Sequence, residues 1–250
     1  MSKSGAMGAL TGKVLILTGA AGGQGRVAAR LFAAAGARLV LTDRDPGGSE
    51  VARTLGAGTI FLHHDVSRRE DWEAIVAAAV AGFGGIDVLI NNAGIAGRDD
   101  VQSLTPERMR GYLDVNLLGA LNGIQAVLPA MRARGGGSIV NICSISALRS
   151  TPGLAGYGIS KWALRGLSRY AAAELARHKV RVNLVLPGAV DVSMIKDGQS
   201  DAGKQAFAGQ VPLKRLASSE EIAQAALFLA SDAASYVTGS ELVVDGGISA

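Results

Sequence analysis

The sequence has little of what metal sites and disulfides need. It contains one cysteine, Cys143, and three histidines, His63, His64 and His178. A single thiol excludes a disulfide within the chain and a cysteine-based zinc site. The three histidines are too few and too unevenly spaced for a metal triad. We therefore expect a functional site without metal.

Long hydrophobic runs and blocks of one charge are also missing. No stretch of about 18 apolar residues occurs, and the N-terminal residues lack a signal-peptide pattern, so we expect a cytoplasmic protein with no membrane segment. The formal net charge is only +4. Its basic residues are scattered, which is typical of solvated helix faces and not of a nucleic-acid-binding surface.

Aromatic residues make up only 4% of the chain, whereas hydrophobic residues as a whole make up 48%. This mostly aliphatic content is enough for a packed core and excludes a disordered chain. The 34 glycines follow no period of three, which excludes collagen. Small residues in such number favour close packing of helices on strands in an α/β protein.

Short aliphatic runs alternate with amphipathic stretches from end to end. The runs, typical of buried parallel strands, are Val14–Leu17, Leu39–Thr42, Thr59–His63, Val88–Ile90, Ser138–Ile142, Val180–Val185 and Leu242–Val244. The helical stretches are Gly23–Ala35, Arg69–Ala81, Thr105–Arg134, Tyr157–Arg177 and Ser219–Ala230. The pattern predicts a single-domain Rossmann-type α/β fold over residues 1–250: a doubly wound parallel sheet of about seven strands, with helices on both faces.

Helix-start signals and one segment without a clear pattern add detail to this prediction. Thr105 before Pro106, and Ser218 three residues before Glu221, are typical helix starts. The long segment Asp191–Leu216 lacks a clear pattern, and we expect it to form a lid over the substrate site.

The first predicted strand leads directly into a glycine-rich turn and a helix. Four of the seven residues 19–25 are glycine, namely Gly19, Gly22, Gly23 and Gly25. Glycine lets the backbone approach a ligand closely, and the first amides of the helix favour a pyrophosphate. Tight packing alone is the alternative, although it requires fewer glycines.

Asp43 ends the second predicted strand, about 20 residues beyond this turn. A carboxylate there can accept hydrogen bonds from both adenosine ribose hydroxyls and repels a 2′-phosphate, which favours NAD over NADP. Two alternatives stay open. Asp43 could instead cap a helix before Pro46, and Arg44 could pair with a phosphate or stack on adenine.

Tyr157 and Lys161 are four residues apart in a predicted helix, so their side chains share a face. A nearby cation favours the phenolate and can bring a tyrosine into the range of a general base. Taken alone, this pair is common and decides nothing.

Taken together, the motifs resemble the short-chain dehydrogenase/reductase family over essentially the whole chain. The matching elements are Thr18-Gly19-xxx-Gly23-x-Gly25, Asp65-Val66, Asn91-Asn92-Ala93-Gly94, Asn116, Ser144, Tyr157-xxx-Lys161 and Pro187-Gly188. Within the family, Ser138–Ser144 and Tyr157–Leu175 are most similar to NAD-dependent secondary-alcohol and hydroxysteroid dehydrogenases.

This resemblance implies catalytic roles for four residues. Tyr157 would be the general acid/base, Lys161 would lower its pKa and bind ribose, Ser144 would hold the substrate oxygen, and Asn116 would relay protons. The implied NAD-binding residues are Gly19, Gly22, Gly23, Gln24, Gly25, Asp43, Arg44, Asp65, Val66, Asn92, Gly94, Tyr157, Lys161, Pro187, Gly188, Val190 and Val192. Val192 stands where the family often has threonine, and the neighbouring Ser193 could compensate.

The expected pocket is mostly apolar and suits a small hydrophobic substrate such as a steroid or another cyclic alcohol. Besides Ser144, its expected lining is Ile95, Ser146, Leu148, Leu154 and Met194. The family resemblance further implies a homotetramer formed through the helix bearing Tyr157 and the C-terminal segment. We expect no nucleic-acid or membrane partner.

Simpler interpretations accompany several of these residues. Ser144 could satisfy a loop amide, Asn116 could bond backbone, Cys143 is a buried filler, and Trp162 packs on the sheet or on a partner subunit. Two other functions also stay open. One is a 3-oxoacyl-thioester reductase using NADPH, and the other is a non-catalytic NAD(H)-sensing protein.

Overall fold

The computed structural model describes residues 8–191 and 201–250, with side chains left out at 201–204. In these ranges seven strands form one parallel sheet in the order β3-β2-β1-β4-β5-β6-β7. The strands are β1 Val14–Thr18, β2 Arg38–Asp43, β3 Thr59–His63, β4 Val88–Asn91, β5 Gly137–Ile142, β6 Val180–Pro187 and β7 Glu241–Val244. The predicted doubly wound sheet is thereby confirmed.

Helices connect the strands and cover both faces of the sheet. In chain order they are α1 Gly23–Ala34, α2 Gly48–Leu55, α3 Arg69–Phe83, α4 Pro106–Leu113, α5 Gly119–Ala133, α6 Ala155–Leu175, α7 Asp201–Gln210 and α8 Ser219–Ala230. No helix in the described ranges is long and apolar enough to cross a membrane.

The aliphatic strand runs are explained by burial on both sides of the sheet. In β1, Leu15 and Leu17 pack into the cluster under α1 and α8, whereas Val14 and Ile16 pack into the cluster under α3, α5 and α6. Successive strand residues point to opposite faces, so both sets of side chains in such a strand are mostly apolar. Each buried leucine contributes about 1.5–3 kcal/mol of transfer free energy.

The predicted helix starts are confirmed. The Thr105 hydroxyl accepts a hydrogen bond from the Arg108 amide at 3.3 Å, and Pro106 occupies the first turn of α4. Ser218 and Glu221 form a reciprocal capping box at the start of α8. Both caps satisfy amides that the helix itself leaves without partners.

The helix predicted over Thr105–Arg134 contains an irregularity. It consists of α4, a π-helical turn at Asp114–Leu118, and α5. Two helices were not predicted. The first, α2, has only eight residues, too few for a periodic pattern, and the second, α7, lies inside the segment Asp191–Leu216.

The two ends of that segment are tied together by backbone. Val190 and Ala217 form an isolated parallel bridge, in which the Asp191 amide donates to the Ala217 carbonyl and the Ala217 amide donates to the Ala189 carbonyl, both at 2.9 Å. A segment anchored at its base in this way suits a lid, which stays a prediction. Residues 192–200, including Val192, Ser193 and Met194, lie outside the described residues.

Candidate active site

The sheet order reverses between β1 and β4, and the glycine-rich turn lies at this switch point. Gly19 has a φ of +69°, and a Cβ added to it would lie 2.8 Å from the Ala93 Cα. A Cβ on Gly25 would collide with the Gly19 carbonyl, whereas the nearest atom to one on Gly22 would be 3.6 Å away. Packing therefore requires glycine at two of these positions but not at Gly22.

The first turn of α1 is open to an anion. Gly22 occupies the N-cap position, where no side chain caps the helix, and the turn contains no acidic residue. Amide groups at such a helix start have no side-chain acceptor and favour a phosphate group. These features fit the pyrophosphate of a dinucleotide.

Asp43 holds the same turn from the neighbouring strand. Its Oδ2 accepts a hydrogen bond from the Ala21 amide at 2.8 Å, and its Oδ1 accepts one from the Asp45 amide at 3.0 Å. Helix α2 begins only at Gly48 and is preceded by Gly47, so Asp43 does not cap that helix. The carboxylate is instead fixed beside the glycine-rich turn.

Arg44 and Asp65 face one another at the rim of this region. The Arg44 Nε lies 3.6 Å from the Asp65 Oδ2, and the Asp65 Oδ1 accepts hydrogen bonds from the amide and the hydroxyl of Ser67. Although burial acts to raise the pKa of Asp65, these hydrogen bonds and the Arg44 charge hold it below its ordinary value. Val66 is buried and touches the position where Gly119 lacks a side chain.

Side chains following β4 complete the turn. The Asn92 Nδ2 donates to the carbonyls of Thr18 and Gly19 at 2.9 and 3.2 Å, and the Gln24 Nε2 donates to the Asn92 Oδ1 at 3.2 Å. The Thr18 hydroxyl in turn accepts hydrogen bonds from the Asn92 and Ala93 amides. Thr18 therefore joins β1 to β4, a role that its motif position alone did not reveal.

Ser144, Tyr157 and Lys161 converge at the carboxyl end of β5. Ser144 lies two residues after this strand. Its hydroxyl accepts a hydrogen bond from the Ser146 amide at 3.1 Å, and hydrogen bonding between Ser144 and the Tyr157 side chain acts to lower the pKa of the phenol. Tyr157 lies in the first turn of α6. The buried Lys161 Nζ, one turn later, donates to the Ile142 carbonyl at 2.9 Å and lies 5.7 Å from the Tyr157 ring centroid.

Burial dominates the ionisation of this pair. It raises the pKa of Tyr157 to about 12, with the Ser144 hydrogen bond as the main opposing effect, and it lowers the pKa of Lys161. In the protein chain alone, burial therefore sets the direction of the Tyr157 pKa shift, and the expectation that Lys161 lowers this pKa stays a prediction. The ammonium is directed to the Ile142 carbonyl, and Tyr157 is half-buried.

Asn116 lies in the π-helical turn and binds the loop after β4. Its Oδ1 accepts from the Ile95 amide, and its Nδ2 donates to the Ile95 carbonyl and to the Ser160 hydroxyl, all at 2.9 Å. The Ser160 hydroxyl donates to the Tyr157 carbonyl at 2.6 Å. The interpretation of Asn116 as a residue that bonds backbone is thus confirmed, whereas its relay role stays a prediction. Ser160 was missed, although it stands between Tyr157 and Lys161.

The site narrows around Gly94. A Cβ there would lie 3.1 Å from the Asn116 Oδ1 and 3.6 Å from the Lys161 Nζ, so glycine leaves room for these two polar groups to approach each other. Ile95 is 41% exposed and Ser146 is buried, with Leu154 partly buried at the start of α6.

The loop after β6 is also fixed in place. Pro187 ends the strand, and the Gly188 amide donates to the Val244 carbonyl at 2.9 Å. A Cβ on Gly188 would lie 2.7 Å from the Asp245 Cα, so only glycine fits there.

Comparison with known proteins agrees with this geometry. Residues 19–249 match a family model described as enoyl-(acyl carrier protein) reductase. The chain is 40% identical over 245 residues to trans-4-hydroxycyclohexanecarboxylate dehydrogenase of Sinomonas cyclohexanicum, covering 94% of this chain and 92% of the relative. It is also 40% identical over 241 residues to 3-alpha-(or 20-beta)-hydroxysteroid dehydrogenase of Mycobacterium bovis, covering 96% and 90%.

The solved structure of levodione reductase superposes with a TM-score of 0.90 at 33% identity, covering 96% of this chain and 98% of that one. The chain belongs to the short-chain dehydrogenase/reductase family. It is an oxidoreductase that acts on CH–OH groups with a nicotinamide cofactor.

Two further residues of this short-chain dehydrogenase/reductase are now placed. Cys143 is buried with its thiol 3.4 Å from the Lys161 carbonyl, and burial raises its pKa, which agrees with a filler role. Trp162 is 46% exposed and stacks with the Arg165 guanidinium, so it does not pack on the sheet. The described residues contain no cluster of potential metal ligands.

Proposed function

We propose that this enzyme interconverts a cyclic, apolar secondary alcohol and its ketone, using NAD as the cofactor. The observation that carries the proposal is the convergence of Ser144, Tyr157 and Lys161 beside the uncapped start of α1. Support for the substrate class comes from the relatives, whose names specify a hydroxycyclohexanecarboxylate and hydroxysteroids.

Each catalytic residue has a role suited to its surroundings. A bound nicotinamide cofactor would supply the hydride chemistry, as acceptor for the carbinol hydrogen in oxidation and as donor to the ketone in reduction. Tyr157 accepts the alcohol proton during oxidation and returns it during reduction. The Ser144 hydroxyl holds the reacting oxygen next to the phenol and stabilises charge on it. Lys161 binds the ribose, and Asn116 connects Lys161 to solvent through a water-mediated proton path.

The chain's own residues also position the cofactor. The amides at the start of α1 bind the pyrophosphate, with the backbone of Gln24 among them, and the backbone of Asn92 contacts ribose. Val190 contributes backbone to the carboxamide. Asp65 and Val66 border the adenine.

The preference for NAD is assigned to Asp43. Its carboxylate is already oriented by the amides of Ala21 and Asp45, and Arg44 is directed toward Asp65. A fixed negative charge here accepts ribose hydroxyls and repels a 2′-phosphate. Titration of protein fluorescence should give a lower dissociation constant for NADH than for NADPH, and Asp43→Ser should reduce that difference. Asp45→Asn is the control, and tighter NADPH binding by the wild-type protein would refute the assignment.

The catalytic assignment is tested by following reduced-cofactor formation with hydroxycyclohexanecarboxylates, hydroxysteroids and acyclic secondary alcohols. Tyr157→Phe should lower turnover by ~10²- to 10⁴-fold, the range for loss of a general acid/base. Tyr170→Phe, a change at an exposed position on the same helix, should not. Equal turnover by Tyr157→Phe and wild type would contradict the mechanism. A 3-oxoacyl thioester in the same panel tests the reductase alternative, and tight NADH binding without any turnover would support the sensing alternative.

We also propose that the enzyme is a cytoplasmic homotetramer. The exposed apolar side chains Ile159 and Trp162 on α6, and Val243 on β7, support association through these two elements. Light scattering during gel filtration should give four times the 25.5 kDa chain mass. Trp162→Glu should reduce this mass, and a monomeric wild-type protein would contradict the proposal.

A further inference from the structure

Three side chains on α4 and the following π-helical turn lie on one face of the helix and contact a single loop. Arg108, Tyr112 and Asn116 are spaced four residues apart, which places them on one helix face. Asn116 holds Ile95 at the beginning of the loop, while Arg108 and Tyr112 hold Asp99 at its end. The loop over residues 95–99 is thus fixed at both ends.

The carboxylate of Asp99 is buried, and each of its two oxygens has a partner. Asp99 is 4% exposed, and its Oδ2 accepts the Tyr112 hydroxyl at 2.6 Å while its Oδ1 lies 2.7 Å from an Arg108 nitrogen. Burial and the Asp99 hydrogen bond raise the pKa of Tyr112, which keeps this hydroxyl a donor. Hydrogen bonds to a charged carboxylate are short and strong, so these two contacts fix the position of Asp99.

The same loop is hydrogen-bonded to the start of the helix that carries Tyr157. The Asp99 amide donates to the Gly153 carbonyl, and the Ala155 amide donates to the Asp99 carbonyl, both at 2.9 Å. Ala155 is the first residue of α6, and Leu154 before it supplies no side-chain cap. The Asp99 carbonyl therefore replaces the missing cap, two residues ahead of Tyr157.

The Tyr112 ring makes a second contact with this first turn. A Cβ on Gly156 would lie 2.5 Å from the ring, and one on Gly97 would collide with the Tyr112 hydroxyl. Glycine at both positions lets the ring pack directly between the loop and the backbone next to Tyr157. Tyr112, Gly97 and Gly156 have no role in the proposed function as stated above.

We propose that Asp99, Tyr112 and Arg108 form a clamp that positions Tyr157 and the substrate wall at Ile95. These are positioning residues, since they act on the reacting atoms through the first turn of α6. The clamp deepens the proposed function and rests on it for the role of Tyr157. Small displacements of a reacting group lower rates steeply, by ~10²-fold for about 1 Å.

The first test needs no substrate. Hydrogen exchange of peptides covering residues 153–161 is compared in wild type, Tyr112→Phe and the control Tyr170→Phe. Removal of the single hydroxyl should speed exchange at least about tenfold in these peptides and leave peptides from α8 unchanged. Unchanged exchange at 153–161, or equal acceleration throughout the protein, would overturn the clamp.

The second test separates positioning from general stability. Tyr112→Phe should lower kcat for alcohol oxidation by ~10- to 100-fold while the NADH dissociation constant stays within about twofold. Arg108→Gln, a more exposed member of the clamp, should show the same pattern more weakly and serves if Tyr112→Phe does not fold. Arg110→Gln, which breaks only an exposed pair with Glu107, should behave as wild type.

The outcomes distinguish the two proposals. Wild-type protein that oxidises no secondary alcohol would refute the proposed function, and hydrogen exchange would still decide whether the clamp orders the first turn of α6. If the wild type is active and both clamp variants keep its kcat and its pH profile, the positioning role is wrong.

Discussion

The stability of the protein is expected to fall between pH 7 and pH 5 because His64 is buried in its neutral form. His64 follows β3 and is 1% exposed; its Nδ1 lies 3.0 Å from the Thr42 hydroxyl, and its ring packs edge-on against Trp72 at 4.4 Å. Its Nε2 has no hydrogen-bond partner among the described residues. A proton added there would be a buried charge without an acceptor.

The size of the effect follows from linkage. Burial lowers the pKa of His64 from 6.5 to about 4, even though Asp71 and Asp65 act to raise it. The unfolded chain therefore binds this proton first as the pH falls, so the contribution to stability is present above pH 6.5 and is lost toward pH 4. The loss amounts to about 2 kcal/mol between pH 7 and pH 5, and to about 3 kcal/mol in full.

Urea unfolding followed by circular dichroism at pH 7, 6 and 5 measures this loss. In His64→Gln, which cannot take up the proton, the free energy of unfolding should vary less with pH by about 2 kcal/mol over this range. His63→Gln, at the exposed neighbouring position, is the matched control and should keep the wild-type slope. Parallel pH dependence in wild type and His64→Gln would refute this explanation.

Two further predictions concern glycine positions. Gly25→Ala, whose Cβ would collide with the Gly19 carbonyl, should lower the free energy of unfolding by about 1–3 kcal/mol in thermal melts and weaken NADH binding in fluorescence titration. Gly166→Ala, whose Cβ would lie in open space on α6, should raise the free energy of unfolding by ~0.5–1 kcal/mol in the same melts. Ser218→Ala should cost about 1 kcal/mol in urea unfolding because the capping box of α8 is lost, and an unchanged midpoint would contradict that role.

The features predicted best from the sequence are those that local chemistry decides. Strands buried on both faces are mostly apolar, so β1 is visible in the sequence as an aliphatic run from Val14 to Leu17. The turn after β1 and Asp43 at the end of β2 were both predicted to bind the cofactor, and because parallel strands end at one edge of the sheet, they lie together there, with the Ala21 amide donating to the Asp43 carboxylate.

Features that depend on distant contacts could not be predicted. Asp99 and Tyr112 are thirteen residues apart and belong to no motif, so no pattern in the sequence indicates their 2.6 Å hydrogen bond. The effect of burial on the pKa of Tyr157 could not be predicted for the same reason. The pattern shows which cation is near the phenol, but burial and the partner of Lys161 are set by the packing of α6 on β5 and β6.

The final prediction uses this balance at Tyr157. The Ser144 hydrogen bond opposes the effect of burial, so Ser144→Ala should raise the pKa of Tyr157 further. Alcohol oxidation requires the phenolate, and its rate rises with pH as Tyr157 ionises; the rising limb of the kcat/KM profile should therefore move to higher pH in Ser144→Ala. Ser144→Thr, which keeps the hydroxyl, should restore the wild-type position of that limb. If Ser144→Ala lowers kcat/KM equally at every pH, Ser144 acts on the substrate oxygen alone and does not tune the phenol.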